Sequence, residues 1–145
     1  MPVIKEKEFQ SFLQGKNVAI VGPSKTLEGK KLGELFDSFD VVVRLNRALS
    51  HMENSSDWGT KTDILYHCLS TGTLHQLHPR THKLEVDPEL FIKSNVKYIS
   101  SVYPSFTNHH STIKGNIEYL LNYDEINFRH IAFEPYMKLQ SEAGE

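Results

Sequence analysis

The sequence predicts an α/β fold, a mainly parallel sheet with helices on both faces, and three observations carry that expectation. Short apolar runs rich in β-branched residues alternate along the chain with stretches of helical spacing, the pattern of repeated βαβ units. The first run, Val18-Ala19-Ile20-Val21, closes on Gly22-Pro23 and reads as a strand buried on both faces of a parallel sheet. The chain has 145 residues, 39% hydrophobic and 23% charged, enough for one core, so residues 1–145 are expected to form a single domain.

The elements follow in order. Residues 5–13 place Phe9, Phe12 and Leu13 on one face of a short helix that Gly15 ends. After the first strand and a polar turn, residues 31–39 set Leu32, Leu35, Phe36 and Phe39 at helical spacing. Asp40-Val41-Val42-Val43-Arg44-Leu45 is a second strand. Residues 48–62 turn to Ser, Asn, His, Gly and Asp and read as a long loop of the kind that carries function. Residues 63–68 form a third strand, 96–100 a fourth and 130–133 a fifth. Asp87-Pro88 is a good helix start, and further helices are expected over 112–122 and from Pro135 to Gly144; residues 70–83, interrupted by Pro79, are ambiguous.

Composition removes several classes of function. A net charge of -2 excludes the broad basic surface that sequence-independent nucleic-acid binding needs. No run approaches the roughly 18 apolar residues of a membrane span, and Met1 to Gln14 mixes charged with apolar residues, which points to the cytoplasm. Cys68 is the single cysteine, so the chain has no internal disulfide; it reads as a small core residue.

The turn after the first strand, Gly22-Pro23-Ser24-Lys25-Thr26, joins a strand's carboxyl end to a helix start, the place where α/β sheets bind nucleotides. Neither G-x-x-x-x-G-K-[ST] nor G-x-G-x-x-G is present, which disfavours a P-loop enzyme or a standard dinucleotide dehydrogenase. Alternation in the second strand puts Asp40, Val42, Arg44 and Asn46 on one side and Val41, Val43 and Leu45 on the other. Asn46 then sits near the glycine turn and suits a base or ribose contact, with Arg44 buttressing the site or facing a phosphate. The plain structural reading stays open beside it: a tight turn at Gly22, Arg44 paired with Asp40 or Asp63, and Asn46 as a turn former.

Three linked segments resemble one known motif. Residues 18–24 (VAIVGPS), 37–48 (DSFDVVVRLNRA) and 57–62 (DWGTKT) are similar, in order and spacing, to the long sialylmotif of the eukaryotic-type sialyltransferases, glycosyltransferase family 29. The resemblance implies a Rossmann-like, GT-A-variant-like fold. It also implies a metal-independent enzyme that transfers a sugar from a CMP-activated donor to a hydroxyl of a glycan or other acceptor, without a cofactor. Gly22, Pro23, Ser24 and Asn46 fall on its nucleotide-binding positions, with Arg44 and Lys61 in support. The absence of an Asp-x-Asp pair agrees with metal independence. Pro23 stands where the family usually has an asparagine that touches the nucleotide, Val18 where it has a cysteine, and Trp58 where it has a smaller apolar residue.

The family's later short motif, a Pro-Ser/Thr-Thr-Gly turn, has no counterpart here, and the chain is expected to be a truncated gene product, an expression fragment or a minimal domain, with catalysis dependent on completion by the family's later motifs. The catalytic base is therefore unassigned. His67, at the end of the third strand, is the best-placed candidate, although a buried structural histidine fits the same position. His75, His78 and His82 at i, i+3 and i+7 make no complete ligand set around Pro79, and no metal site is expected. Two rival functions remain: a non-catalytic nucleotide-binding or interaction module, and a Rossmann-like enzyme with another nucleotide-linked substrate.

Overall fold

The computed structural model describes residues 3–46, 54–67, 69, 91–92, 94–102, 122–131 and 142. Within them the chain forms α1 (Glu6–Leu13), β1 (Val18–Val21), a 3₁₀ turn (Lys25–Leu27), α2 (Gly33–Asp37), β2 (Val41–Leu45), α3 (Ser55–Trp58), β3 (Ile64–Tyr66), β4 (Tyr98–Val102) and β5 (Asn127–Ile131). Phe91 and Ile92 are helical, in keeping with the helix start expected at Asp87-Pro88. The ambiguous stretch 70–83 and the helices expected over 112–122 and 135–144 lie outside the described residues, apart from Asn122 and the helical Glu142.

The five strands make one all-parallel sheet in the order β1-β2-β3-β4-β5, each strand beside its predecessor in sequence. Right-handed crossovers that step the same way along a sheet lie on the same face. That accounts for α2 and α3 sharing one face, while α1, which precedes the first strand, covers the other. The expected Rossmann-like α/β arrangement with helices on both faces is what the chain adopts.

Alternation along β2 divides the core. Val41 and Val43 meet Phe9 of α1 together with Ile64 and Tyr98. Val42 meets Val21 and Trp58 on the opposite face, with Ala19, Leu27, Phe36 and Phe39 packed around them. Phe9 is 2% exposed and its ring meets Tyr98 edge-on at 5.7 Å; burial of a side chain of this size stabilises the fold by about 1.5–3 kcal/mol. Gly15, in the left-handed region at φ 71, closes α1 as its sequence position suggests.

The amino-terminal segment is tied across the sheet to β5. The Ile4 amide donates to the Phe128 carbonyl at 2.9 Å, and Val3 bridges Phe128 in parallel. Arg129 donates to both carboxylate oxygens of Glu6, at 2.7 and 2.9 Å, and to the Tyr66 and Ser100 hydroxyls.

One expectation fails. β1 is not buried on both faces: it is an edge strand, with Val18 38% and Ile20 72% exposed. On that side Val18, Ile20 and Leu45, with Phe9 and Leu13 of α1, line an open apolar groove of about 280 Å³. Only Val21 and Ala19, on the α2–α3 face, are packed into the core. The strand buried on both faces is β2, where Val41 and Val42 have no exposed surface.

Candidate functional site

Register assembles the site. Val21 pairs with Arg44, so residues 22–24 leave the sheet beside Leu45 and Asn46, at the carboxyl ends of β1 and β2. Asn46 ends β2 in the left-handed region at φ 44, a conformation asparagine tolerates, and is half-buried there. Gly22, Pro23, Ser24 and Asn46 are thus neighbours.

The 3₁₀ turn is held by Ser24. Its hydroxyl accepts from the Thr26 amide at 3.3 Å and shares a 2.8 Å hydrogen bond with the Thr26 hydroxyl, while both side chains stay exposed. Gly22 differs from the other described glycines. Gly15, Gly29 and Gly59 occupy positive φ, and a Cβ on Gly33 or Gly59 would strike backbone atoms of its neighbours. At Gly22 no positive φ is required, and an added Cβ would meet nothing within 4 Å. Among the described residues, the packing gives no reason for a glycine here, and nothing fills the space above it.

The remaining motif residues stitch loops together, and four carboxylates do most of it. Asp57 accepts from the Gly29 amide at 2.7 Å, the Lys31 amide at 2.9 Å and the Asn54 side chain, which fixes the loop after the 3₁₀ turn against α3. Asp37 accepts from the Thr60 and Lys61 amides and the Thr60 hydroxyl. Asp40 accepts from the Asn17 amide and Asp63 from the Val42 amide. The hydrogen bonds from Gly29 and Lys31 hold the Asp57 carboxyl below its ordinary range. For Asp37, burial pushes the other way, but the amides of Lys61 and Thr60, the Thr60 hydroxyl and the Arg44 charge together outweigh it and hold that carboxyl low as well.

Arg44 and Lys61 belong to this scaffold. Arg44 is fully buried; its Nε donates to the Lys61 carbonyl at 3.0 Å and the Thr62 hydroxyl at 2.9 Å, and Nη2 donates to the Trp58 carbonyl at 2.6 Å. Neither Asp40 nor Asp63 is its partner. The guanidinium is directed toward the loop that leads into β3, away from the carboxyl end of its own strand. Lys61 Nζ donates to the Phe39 and Asp40 carbonyls at 2.7 and 2.8 Å, at the amino end of β2. A strand of five residues, about 16 Å, separates that ammonium from the Gly22 turn.

His67 follows β3 and is 3% exposed. Its Nδ1 accepts from the Leu69 amide at 2.8 Å, so the ring proton resides on Nε2, and its ring meets Phe91 edge-on at 6.3 Å. Burial pulls its pKa down to about 4, so the ring is neutral at physiological pH. Because the folded pKa lies below the unfolded value of about 6.5, stability is fully present above that value. It falls as the pH drops toward 4, by on the order of 3 kcal/mol. Urea unfolding at pH 7, 5.5 and 4.5 checks this: His67→Phe should flatten most of that slope, leaving what the low-lying Asp37 and Asp57 carboxyls add below about pH 4.

Sequence reasoning did not identify Asp37, Asp57 and Gly33 as the residues that fix the site's loops. Its one available signal was the placement of each acid within a stretch rich in Gly, Ser and Thr, whose amides need acceptors. Cys68, His75, His78 and His82 lie outside the described residues. Among the described residues, no helix is long and apolar enough to cross a membrane.

A comparison with curated proteins finds no match. The profile of glycosyltransferase family 29 (sialyltransferase) matches residues 4–133, nearly the whole chain and every element described above. With that match running the length of the parallel sheet, the chain belongs to glycosyltransferase family 29, the sialyltransferase family.

Proposed function

We propose that the chain binds the nucleotide of a CMP-activated sugar at the Gly22–Ser24 turn and Asn46, as the donor site of a metal-independent transfer to a glycan or other hydroxyl acceptor. Gly22 carries the reading: a glycine that nothing among the described residues requires, with no described atom above it, at the strand end where parallel sheets bind nucleotides. There a phosphate or ribose can approach the backbone closely, Ser24 and Thr26 offer exposed hydroxyls, and Asn46 offers an amide able to donate and accept. Arg44 and Lys61 serve by holding the loops, and no described residue is assigned as the base. His67 has its Nδ1 occupied by the Leu69 amide and its proton on Nε2, which leaves no lone pair to take a proton from an acceptor hydroxyl. The single nucleotide-sugar-binding domain over residues 1–145 and the cytoplasmic location belong to the same proposal.

Gly22→Ala tests the reading, because it separates binding from folding. The variant should be as stable as the parent or up to about 1 kcal/mol more so, while its affinity for CMP drops at least about tenfold, or roughly 1.4 kcal/mol. Asn46→Ala should abolish measurable CMP binding. Unchanged CMP affinity in both folded variants would sink the assignment and favour a non-catalytic interaction module. A parent protein that prefers UMP, AMP or NAD over CMP would instead favour another nucleotide-linked substrate.

A further inference from the structure

Among the described residues, three buried side-chain polar atoms lack a hydrogen-bond partner: Arg44 Nη1, His67 Nε2 and Ser101 Oγ. Arg44 is accounted for by the loop it holds. The other two stand together. Tyr66 pairs with Ser100, and the His67 amide donates to the Ser100 carbonyl at 3.0 Å, so His67 and Ser101 are the next residues on adjacent strands, about 4.8 Å apart. Strand alternation turns both to the same side. Tyr98 belongs to the α1-face cluster, and Arg129 reaches Tyr66 and Ser100 on that face, so His67 and Ser101 face the opposite one, with Leu65 and Ile99.

The two groups are 3% and 2% exposed. Nδ1 of His67 is occupied by the Leu69 amide, which makes Nε2 a donor with nothing to donate to. A buried donor without an acceptor is costly, and two side by side at strand carboxyl ends, where α/β proteins bind their ligands, call for one shared acceptor. Among the described residues no cation stands with them: the Arg44 guanidinium is tied to Trp58, Lys61 and Thr62. A carboxylate or phosphate here would lose its hydration without gaining a countercharge. The acceptor that fits is a neutral oxygen.

We propose that His67 Nε2 and Ser101 Oγ form a sugar subsite at the carboxyl ends of β3 and β4, gripping a hydroxyl or amide carbonyl oxygen of a bound sugar. The subsite rests on the donor-site reading above and extends it from the nucleotide toward the sugars. A neutral oxygen could come from the transferred sugar or from the acceptor.

The test is Ser101→Ala, titrated alongside the parent with CMP, with CMP-sialic acid and with lactose as a neutral acceptor probe. The variant should fold at least as stably as the parent, since it removes an atom that makes no hydrogen bond in the free protein. Its affinity for CMP-sialic acid should fall about 5- to 50-fold with CMP unchanged; a fall confined to lactose assigns the subsite to the acceptor. In the parent, the His67 Nε2–H resonance should shift with the sugar-bearing probe and not with CMP, which decides the matter even if the variant fails to fold. Unchanged affinity for both sugar probes with a static His67 resonance, the signature of an enclosed water only, overturns the proposal, as does equal weakening toward CMP and CMP-sialic acid. If the parent ignores CMP but binds a sugar probe in a Ser101-dependent way, the nucleotide reading fails and the subsite stands.

Discussion

Gly33→Ala is expected to destabilise the protein by about 3 kcal/mol or more. A Cβ at position 33 would overlap the Ser55 carbonyl oxygen and stand 2.8 Å from both the Gly59 amide nitrogen and the Ser56 carbonyl oxygen. All three are backbone atoms of α3 and its end, so no rotamer change relieves the clash, and α2 and α3 must separate. Their contact seats Trp58, 1% exposed, against Val21 and Val42. For a chain of this size each kcal/mol lowers the melting temperature by about 3 °C, so calorimetry should show a drop near 10 °C or a failure to fold. A melting temperature within 2 °C of the parent, by the same conversion, would show that the two helices are not packed as described.

Arg44→Met should cost about 3–5 kcal/mol, because it leaves the carbonyls of Trp58 and Lys61 and the Thr62 hydroxyl buried without the donor that served them. Arg44→Lys keeps the charge but not the fork, and should lose a large part of the same stability. At a temperature where both variants remain folded, CMP affinity should change little. A direct phosphate contact predicts the reverse, with stability kept in Arg44→Lys and affinity lost. Denaturant unfolding paired with a CMP titration distinguishes the two.

Much of this was legible in the sequence where local signals agree with the tertiary environment. β1 occupies the four residues of its apolar run, and β2 falls within its β-branched run. Three departures have particular causes. The second helix was expected from residue 31 but begins at Gly33, because Lys31 is held in the left-handed region at φ 53 with its amide on Asp57, an acceptor 26 residues away. The fourth strand runs Tyr98–Val102 instead of 96–100, since the ladder starts where the Lys97 and Tyr98 amides reach the Asp63 carbonyl, while Val96 closes a turn onto Phe91. The fifth runs Asn127–Ile131, a polar-alternating strand whose Arg129 is tied to Glu6, 123 residues distant. Long-range acceptors of this kind leave no periodic trace.

The site shows the same division. Gly22, Ser24 and Asn46 were legible as residues of a strand-end turn, because the strand–turn pattern and the linked segments mark them directly. Arg44 and Lys61 were legible as members of the motif but not in their role, which depends on carbonyls of a loop that the sequence shows only as polar. His67 was legible as a strand-end histidine; its burial and its place beside Ser101 required the tertiary structure and the β3–β4 register.

The most direct test of the donor site is a CMP titration of the folded protein followed by backbone amide resonances. A site at the β1 turn predicts saturable one-to-one binding with shifts concentrated on Gly22, Ser24, Lys25, Thr26 and Asn46, and little change at Phe9, Ile20 and Lys61. No saturable shift in a folded sample, or shifts centred on the open groove at Ile20, would contradict it.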